Sequence, residues 1–463
     1  MKKLIISISV LISGLLLGET FSFDEKERLE LITNQILQEQ WPTLEWISAP
    51  LIVTFENGHI FAFNLRSSDP RWEKMLVGKE EVLFTKEDFL GVTSLHMQSH
   101  FTIEGQDAFI YKMSFSDSPL HDVAVLVHER FHRHQTERFQ MSEGQGNSMD
   151  HLSEENLTWI EIEDQLLRDF LKSNGHEKME YLKDFIAVNQ MRREAIEPET
   201  KRWENGQLRM EGLADYVGTI ALGQEELLLA MHPEGDHEND FIDEAIKWRH
   251  YMAGAAMGYA LDFLNVERWQ TKMEAGQSLP DLLHQAIPLS RKEQENRIKN
   301  VQTRLNYKKR RKIASEKVNK YLAKVQTLEN NYEKQEGVKL FLEHPPMGIS
   351  GGGANDEMVY IEGGIVALND SSVATTNDSH WKFETKQISH LFQLSGGVRE
   401  VKIDSNATVK IDKVSLALPE LLTEPREYLF TQLEMECGTS SLNSDHHPGV
   451  LVVDREGLHV QYF

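Results

Sequence analysis

Val127-His128-Glu129-Arg130-Phe131-His132 is an H-E-x-x-H stretch, and the element that carries it decides how the rest of the chain is read. On a helix, histidines at i and i+4 stand almost one above the other, so both imidazoles can reach a single metal ion. The glutamate between them lies ~100° round the helix, at roughly 3.6 residues per turn. From there it can reach a water beside the metal without being a ligand. The helix has a clear start, with Ser118 suited to its cap and Pro119 to its first turn. Leu120, Val123, Ala124, Val127 and Phe131 return at helical spacing, and Val125 and Leu126 fill other faces. Apolar on nearly every side in its first half, this helix is expected to be buried. The His/Glu cluster then lies where a core helix emerges toward a cleft.

Upstream the pattern changes to β. Leu51-Ile-Val-Thr-Phe and Ile60-Phe-Ala-Phe flank Asn57-Gly58, a hairpin signal. Phe101-Thr-Ile and Ala108 to Phe115 suggest a second hairpin turning at Gly105. A polar helix is expected over residues 24–40, with apolar returns at Leu29, Ile32 and Ile36. Downstream, Gln140 to His151 reads as a polar loop, and Ser153 to about Ala286 as mostly helical, with breaks at Asn174-Gly175, Pro233-Glu-Gly235 and Gly276. The charged stretch 291–336, with returns at Ile298, Val301, Leu305, Val318, Leu322, Val325 and Leu328, predicts a long helix or helical hairpin. Its block Lys308 to Lys312 reads as a solvated face.

After Gly337 short β-rich stretches separated by turns predict a sandwich or barrel-like module. These stretches are Met358-Val-Tyr-Ile, Val398 to Ile403, Ala407 to Ile411, Tyr428 to Met435, Val450 to Val453 and Leu458 to Phe463. Gly351-Gly-Gly353 is not a phosphate loop, since no Lys-Ser/Thr follows it.

Composition narrows the partners. With 73 acidic against 49 basic residues the net charge is −24, which disfavours nucleic acid and anionic lipid. Cys437 is the single cysteine, so no intramolecular disulfide can form. Lys2-Lys3, the apolar run Leu4 to Gly18 and small residues near Gly18, Thr20 and Ser22 read as a secretory signal over 1–22. The run is too short to span a bilayer comfortably, so cleavage and export to a periplasm or the cell exterior are expected over anchoring. No stable membrane insertion is expected after cleavage.

Two histidines do not complete a catalytic zinc site, which usually takes three protein ligands and a water. Gln135 and Arg138 stand where an H-E-x-x-H-x-x-G-x-x-H site needs glycine and histidine, so that arrangement is excluded. The better candidate for the third ligand is Glu211 in Arg209-Met-Glu-Gly-Leu-Ala-Asp-Tyr-Val217. Leu208, Leu213, Val217 and Ile220 predict an amphipathic helix there, with Glu211 and Asp215 on one face. The alternatives are an ordinary helix carboxylate at 211, with the true ligand among Glu154, Glu155, Glu161 or Glu163.

H-E-x-x-H followed on a later helix by E-x-x-x-D resembles the gluzincin metallopeptidases, the group of thermolysin-like and neprilysin-like enzymes. The likeness covers 128–132 and 211–215, and the 78 residues between His132 and Glu211 exceed the thermolysin-like spacing. It implies Zn2+ held by His128, His132 and Glu211, Glu129 as general base, and Asp215 orienting a ligating histidine. Comparable enzymes also place a Tyr, His or Arg after the third ligand to stabilise the oxyanion. In Arg249-His250-Tyr251 this points to Tyr251, with His250 as runner-up. His121 and His134 flank the motif, and His134 is expected at the surface. His446-His447 is expected in a loop.

The expected fold class is α+β: a zincin-like catalytic region with a small sheet and a mostly helical second half, then a C-terminal all-β module. The divisions are a signal at 1–22, catalytic parts at 23–152 and 153–290, the charged helical stretch at 291–336, and the β-rich domain at 337–463. The leading functional expectation is an exported zinc metallopeptidase acting on peptide or protein substrates. The alternatives are a catalytically inactive zincin-like binding protein working through its β module, and a zinc hydrolase with a non-peptide substrate.

Overall fold

The computed structural model describes residues 22–33, 41, 43–44, 49–93, 95, 97–140, 152–223, 225–233 and 242–334, then the strands named below from 338 onward. Residues 1–21 of the expected signal segment, most of the polar loop 140–151, Glu234-Gly235, Gly351-Gly-Gly353 and Gly363-Gly364 lie outside the described residues. Internal contacts divide the chain into two units. One comprises Met1–Gly144, Thr158–His237 and Lys247–Lys308, and the other Gln145–Leu157, Glu238–Ile246 and Lys309–Phe463.

In the first unit, α1 (Phe23–Thr33) leads into six strands: β1 (Leu51–Thr54), β2 (Ile60–Phe63), β3 (Glu73–Val77), β4 (Glu80–Thr85), β5 (Met97–Ile103) and β6 (Gln106–Lys112). They form a mixed sheet in the order β3-β4-β2-β1-β6-β5, antiparallel except where β1 runs parallel to β6. The hairpin at Asn57-Gly58 forms as expected, with Gly58 at φ 85, a conformation that L side chains resist. The β3–β4 hairpin was not expected.

Alternation splits the sheet's apolar residues between two cores. Leu51, Val53, Phe61, Phe109 and Tyr111 face the helices, while Ile52, Ile60, Ala62 and Ile110 pack with Trp72 and Val92 on the other side. The central strand β1 is therefore buried on both faces.

The motif helix α2 (Pro119–Arg138) crosses the helix side of the sheet. Its Ser118 cap accepts from the His121 amide, Pro119 opens the first turn, and Val123, Ala124, Leu126, Val127 and Phe131 are fully buried. Arg28 of α1 clamps it by donating from Nε to Asp122 Oδ2 at 2.8 Å. The helices that follow are α3 (Glu154–Lys172), α4 (Gly175–Ala195), α5 (Pro198–Gln207), α6 (Leu213–Ile220), α7 (Glu225–Met231), α8 (Ile242–Phe263), α9 (Trp269–Glu274) and α10 (Leu279–Ala286). The expected breaks at Asn174-Gly175 and Gly276 are present, at φ 56 for Gly175 and φ 91 for Gly276. The charged stretch forms two helices, α11 (Arg291–Arg304) and α12 (Tyr307–Lys334), parted at Asn306. None of the described helices is long and apolar enough to cross a membrane.

From residue 338 the described elements are strands: β7 (Val338–Glu343), β8 (Glu357–Tyr360), β9 (Ile365–Asn369), β10 (Val373–Thr375), β11 (Trp381–Glu384), β12 (His390–Gln393), β13 (Val398–Ile403), β14 (Thr408–Ile411), β15 (Val414–Ala417), β16 (Arg426–Cys437), β17 (Ser440–Val453) and β18 (Leu458–Tyr462). They join in one hydrogen-bonded sheet, mixed because β18 runs parallel to β7. His446-His447 lies within β17 and not in a loop. The pairing runs from Gln432↔Asp445 to Phe430↔Gly449, so His446, His447 and Pro448 form an irregularity opposite Thr431. Asp412 accepts from the Thr431 and Gln432 amides beside that irregularity. The chain as a whole is a mixed α+β protein.

Candidate metal centre

The candidate centre is built where α2, α6 and α8 approach one another. Small residues make the approach. A Cβ on Gly218 would lie 2.6 Å from the Ala124 carbonyl oxygen of α2. One on Gly212 would lie 2.5 Å from Gly254 Cα of α8. Gly212 therefore admits a neighbouring backbone.

Glu211 does not sit on a regular helix. Leu208–Gly212 is a π-helical turn, with the Leu213 amide bonding back to the Leu208 carbonyl. Single π turns inside helices are rare and often sit at functional sites. The following α6 is buried at every position, so the expected amphipathic pattern is corrected to a core helix. Even so, Glu211 and Asp215 both turn toward α2.

The ligand atoms converge. His128 Nε2 and His132 Nε2 are 3.0 Å apart, and each lies 3.5 Å from Glu211 Oε2. Donors about 2.0–2.2 Å from one tetrahedral ion stand about 3.3–3.6 Å apart, so the two 3.5 Å spacings suit a shared cation and the 3.0 Å spacing between the histidines is tighter than that range. The opposite ring nitrogens are committed elsewhere. His128 Nδ1 donates to Asp215 Oδ1 at 2.6 Å, and His132 Nδ1 donates to Gln135 Oε1 at 2.8 Å. Each neutral ring therefore turns a lone pair toward the other. Two lone pairs at 3.0 Å repel unless a cation, a proton or a metal, is shared between them.

The electrostatics agree. Burial opposes charge on His128, but its hydrogen bonds to the Asp215 and Glu211 carboxylates outweigh it and raise its pKa. Burial likewise opposes charge on Glu211, and hydrogen bonds with His128 and His132 outweigh it and lower its pKa. A negative pocket that welcomes positive charge is what a divalent ion requires. Among the described residues, His128, His132 and Glu211 form a candidate metal-binding group.

Glu129 is half-buried on the adjoining face of α2. Its charge acts on the Tyr251 and Tyr111 hydroxyls, whose pKa values burial has already raised. Tyr251 stacks on His128, with ring centroids 5.7 Å apart and planes 5° from parallel. Burial, then the Glu211 charge and hydrogen bond, hold its pKa well above the ordinary phenol value. Its runner-up His250 points into the core, fully buried edge-on to Trp203. Arg249 serves the fold, clamped to Glu163 and Asp164 at 3.1 and 2.7 Å.

The alternative third ligands are otherwise engaged or exposed. Glu163 also holds Arg192 at 2.7 Å, Glu154 pairs with Arg311, and Glu155 is exposed. None of these three, nor Glu161, belongs to the described metal-binding group. His134 is corrected from surface to core: it is 2 % exposed, stacked on Phe131 and bonded to Glu274 at 3.1 Å. His121, by contrast, is partly exposed.

Two participants were not expected. His232 Nε2 bonds Asp215 Oδ2 at 2.5 Å, so Asp215 joins two histidines. Gln135, read in the sequence only as a departure from another motif, holds His132. Its place three residues after His132, on one face of α2, was the available signal. His232 had none, being a lone histidine before Pro233. No family model, curated protein or solved structure matches the chain.

Proposed function

We propose that this chain is an exported zinc metallopeptidase with a zincin-like, gluzincin-type ligand set, and that its C-terminal β module recognises substrate or a surface. The observation that carries this reading is the convergence of His128, His132 and Glu211 beside an uncoordinated Glu129. A purely structural metal site has no use for a base at that position. Zinc held there would polarise a scissile carbonyl and acidify the attacking water toward a pKa of ~7.

Glu129 takes the proton from the attacking water and passes it to the leaving amine. Tyr251, kept protonated by its burial and by Glu211, remains an O–H donor for the developing oxyanion. Asp215 and Gln135 hold the two imidazoles with their Nε2 atoms inward. The net charge of −24 favours a peptide over a nucleic-acid substrate.

The test is Glu129→Gln assayed on unfolded casein and quenched fluorescent peptides. Zinc should stay near one per chain while cleavage falls by at least about 10²-fold. Unchanged cleavage would remove Glu129 from the chemistry. Absence of cleavage by the wild-type chain on every peptide would favour the non-enzymatic or non-peptide alternatives.

A further inference from the structure

Gln135 makes three hydrogen bonds at the candidate centre. Its Nε2 donates to the carbonyls of Arg209 and Met210 at 2.6 and 2.9 Å, and its Oε1 faces His132 Nδ1 at 2.8 Å. The side chain is 0 % exposed, so water offers it no alternative partners. A carbonyl oxygen only accepts, which fixes the amide nitrogen toward the π-helical turn and the amide oxygen toward His132. That oxygen also only accepts, so the proton of neutral His132 resides on Nδ1 and Nε2 keeps its lone pair.

We infer that Gln135 is a positioning residue joining the two halves of the centre. It sets His132 as the Nδ1–H tautomer and clips the turn carrying Glu211 to the helix carrying both histidines. His132 needs this more than His128 does. Its side chain is 23 % exposed, against 7 % for His128, so packing alone does not orient it. Because the carbonyls of Arg209 and Met210 immediately precede Glu211, the same amide sets the distance between the third ligand and the first two. The effect on metal affinity rests on the function proposed above. The tautomer and the clip are properties of the chain itself.

The experiment uses the full chain labelled with 15N-histidine, freed of metal, at pH about 8.5, above the ordinary imidazole range. His132 is identified by the signals that vanish in His132→Gln. Wild-type His132 should show a single Nδ1–H tautomer. Gln135→Met, similar in length but without the amide, should show mixed tautomers and lose roughly 10–100-fold in zinc affinity. Gln135→Glu keeps the acceptor for His132 but loses the donor to the turn. It should retain the tautomer and still bind zinc more weakly than wild type.

An Nε2–H or mixed tautomer in the wild type overturns the inference, and that result does not depend on any variant folding. So does a Gln135→Met chain with wild-type tautomer and affinity. A wild-type chain with the expected tautomer that binds no zinc would sink the metallopeptidase reading and leave the role of Gln135 standing.

Discussion

Asp215 Oδ1 lies 2.6 Å from His128 Nδ1, and the aspartate is 3 % exposed. Its other oxygen takes His232 Nε2 at 2.5 Å. Burial disfavours the aspartate's charge, yet bonds from both histidines outweigh burial and lower its pKa. Asp215 is thus ionised and holds His128 in one orientation. Asp215→Ala should weaken zinc binding roughly 10–100-fold, and His232→Leu should weaken it less, because Asp215 would keep its bond to His128. Competition with a chromogenic chelator measures both. Wild-type affinity in Asp215→Ala would show that the bond does not orient a ligand.

Tyr251 lies parallel to the His128 ring, and its raised pKa makes it a donor at any physiological pH. Tyr251→Phe keeps the ring and removes the hydrogen. The expected result is a fall in kcat of ~10²–10³ with KM little changed, the pattern of a donor acting in the transition state. A change in KM alone would assign Tyr251 to substrate binding.

Gly212 is the closest backbone approach at the centre. In Gly212→Ala the new methyl would meet Gly254 Cα at 2.5 Å and the His250 carbonyl at 2.6 Å. Both obstacles are main chain, so α8 must move away from the π-helical turn. We expect a loss of about 1–3 kcal/mol in denaturant titrations together with weaker zinc binding, since Glu211 is the preceding residue. Loss of stability with unchanged affinity would show that the turn is not held by that contact.

His284 on α10 supplies a pH dependence away from the metal cluster. Burial first, then Arg193, pull its pKa down to about 4, despite opposing pulls from Asp281 and Glu194. Its Nε2 has no hydrogen-bond partner among the described residues. The unfolded chain takes up a proton here below pH ~6.5, while the folded chain resists until about pH 4. The contribution of His284 to stability is therefore full above pH ~6.5 and is lost as pH drops toward 4. His284→Gln should flatten that part of the profile, and an unchanged slope in thermal melts across it would refute the assignment.

What could be read in the sequence follows the range over which each feature is encoded. The cap of α2, its buried face and the Asn57-Gly58 hairpin are local, and they form where the pattern predicts them. The β3–β4 hairpin was missed because β3, Glu-Lys-Met-Leu-Val, is an edge strand exposed on most of its length and lacks an apolar alternation. Of the C-terminal strands, β7, β9 to β12 and β15 escaped because most are only three to five residues long, too short for a clear alternation. Glu211 was legible as a residue, but the π-helical turn beneath it was not, since the turn answers to Gln135 from α2. His134 was expected at the surface because its burial is not local either: Trp41, Phe131 and Phe139 surround it. His232 depends on Asp215, 17 residues earlier on another helix.

The most direct test is diffraction from zinc-soaked crystals of the full chain at the zinc absorption edge, with Glu211→Ala alongside. One anomalous peak per chain is expected at His128 Nε2, His132 Nε2 and the Glu211 carboxylate, abolished or much weakened in the variant. A wild-type crystal without a peak there, or a peak of full height in Glu211→Ala, would contradict the proposed centre.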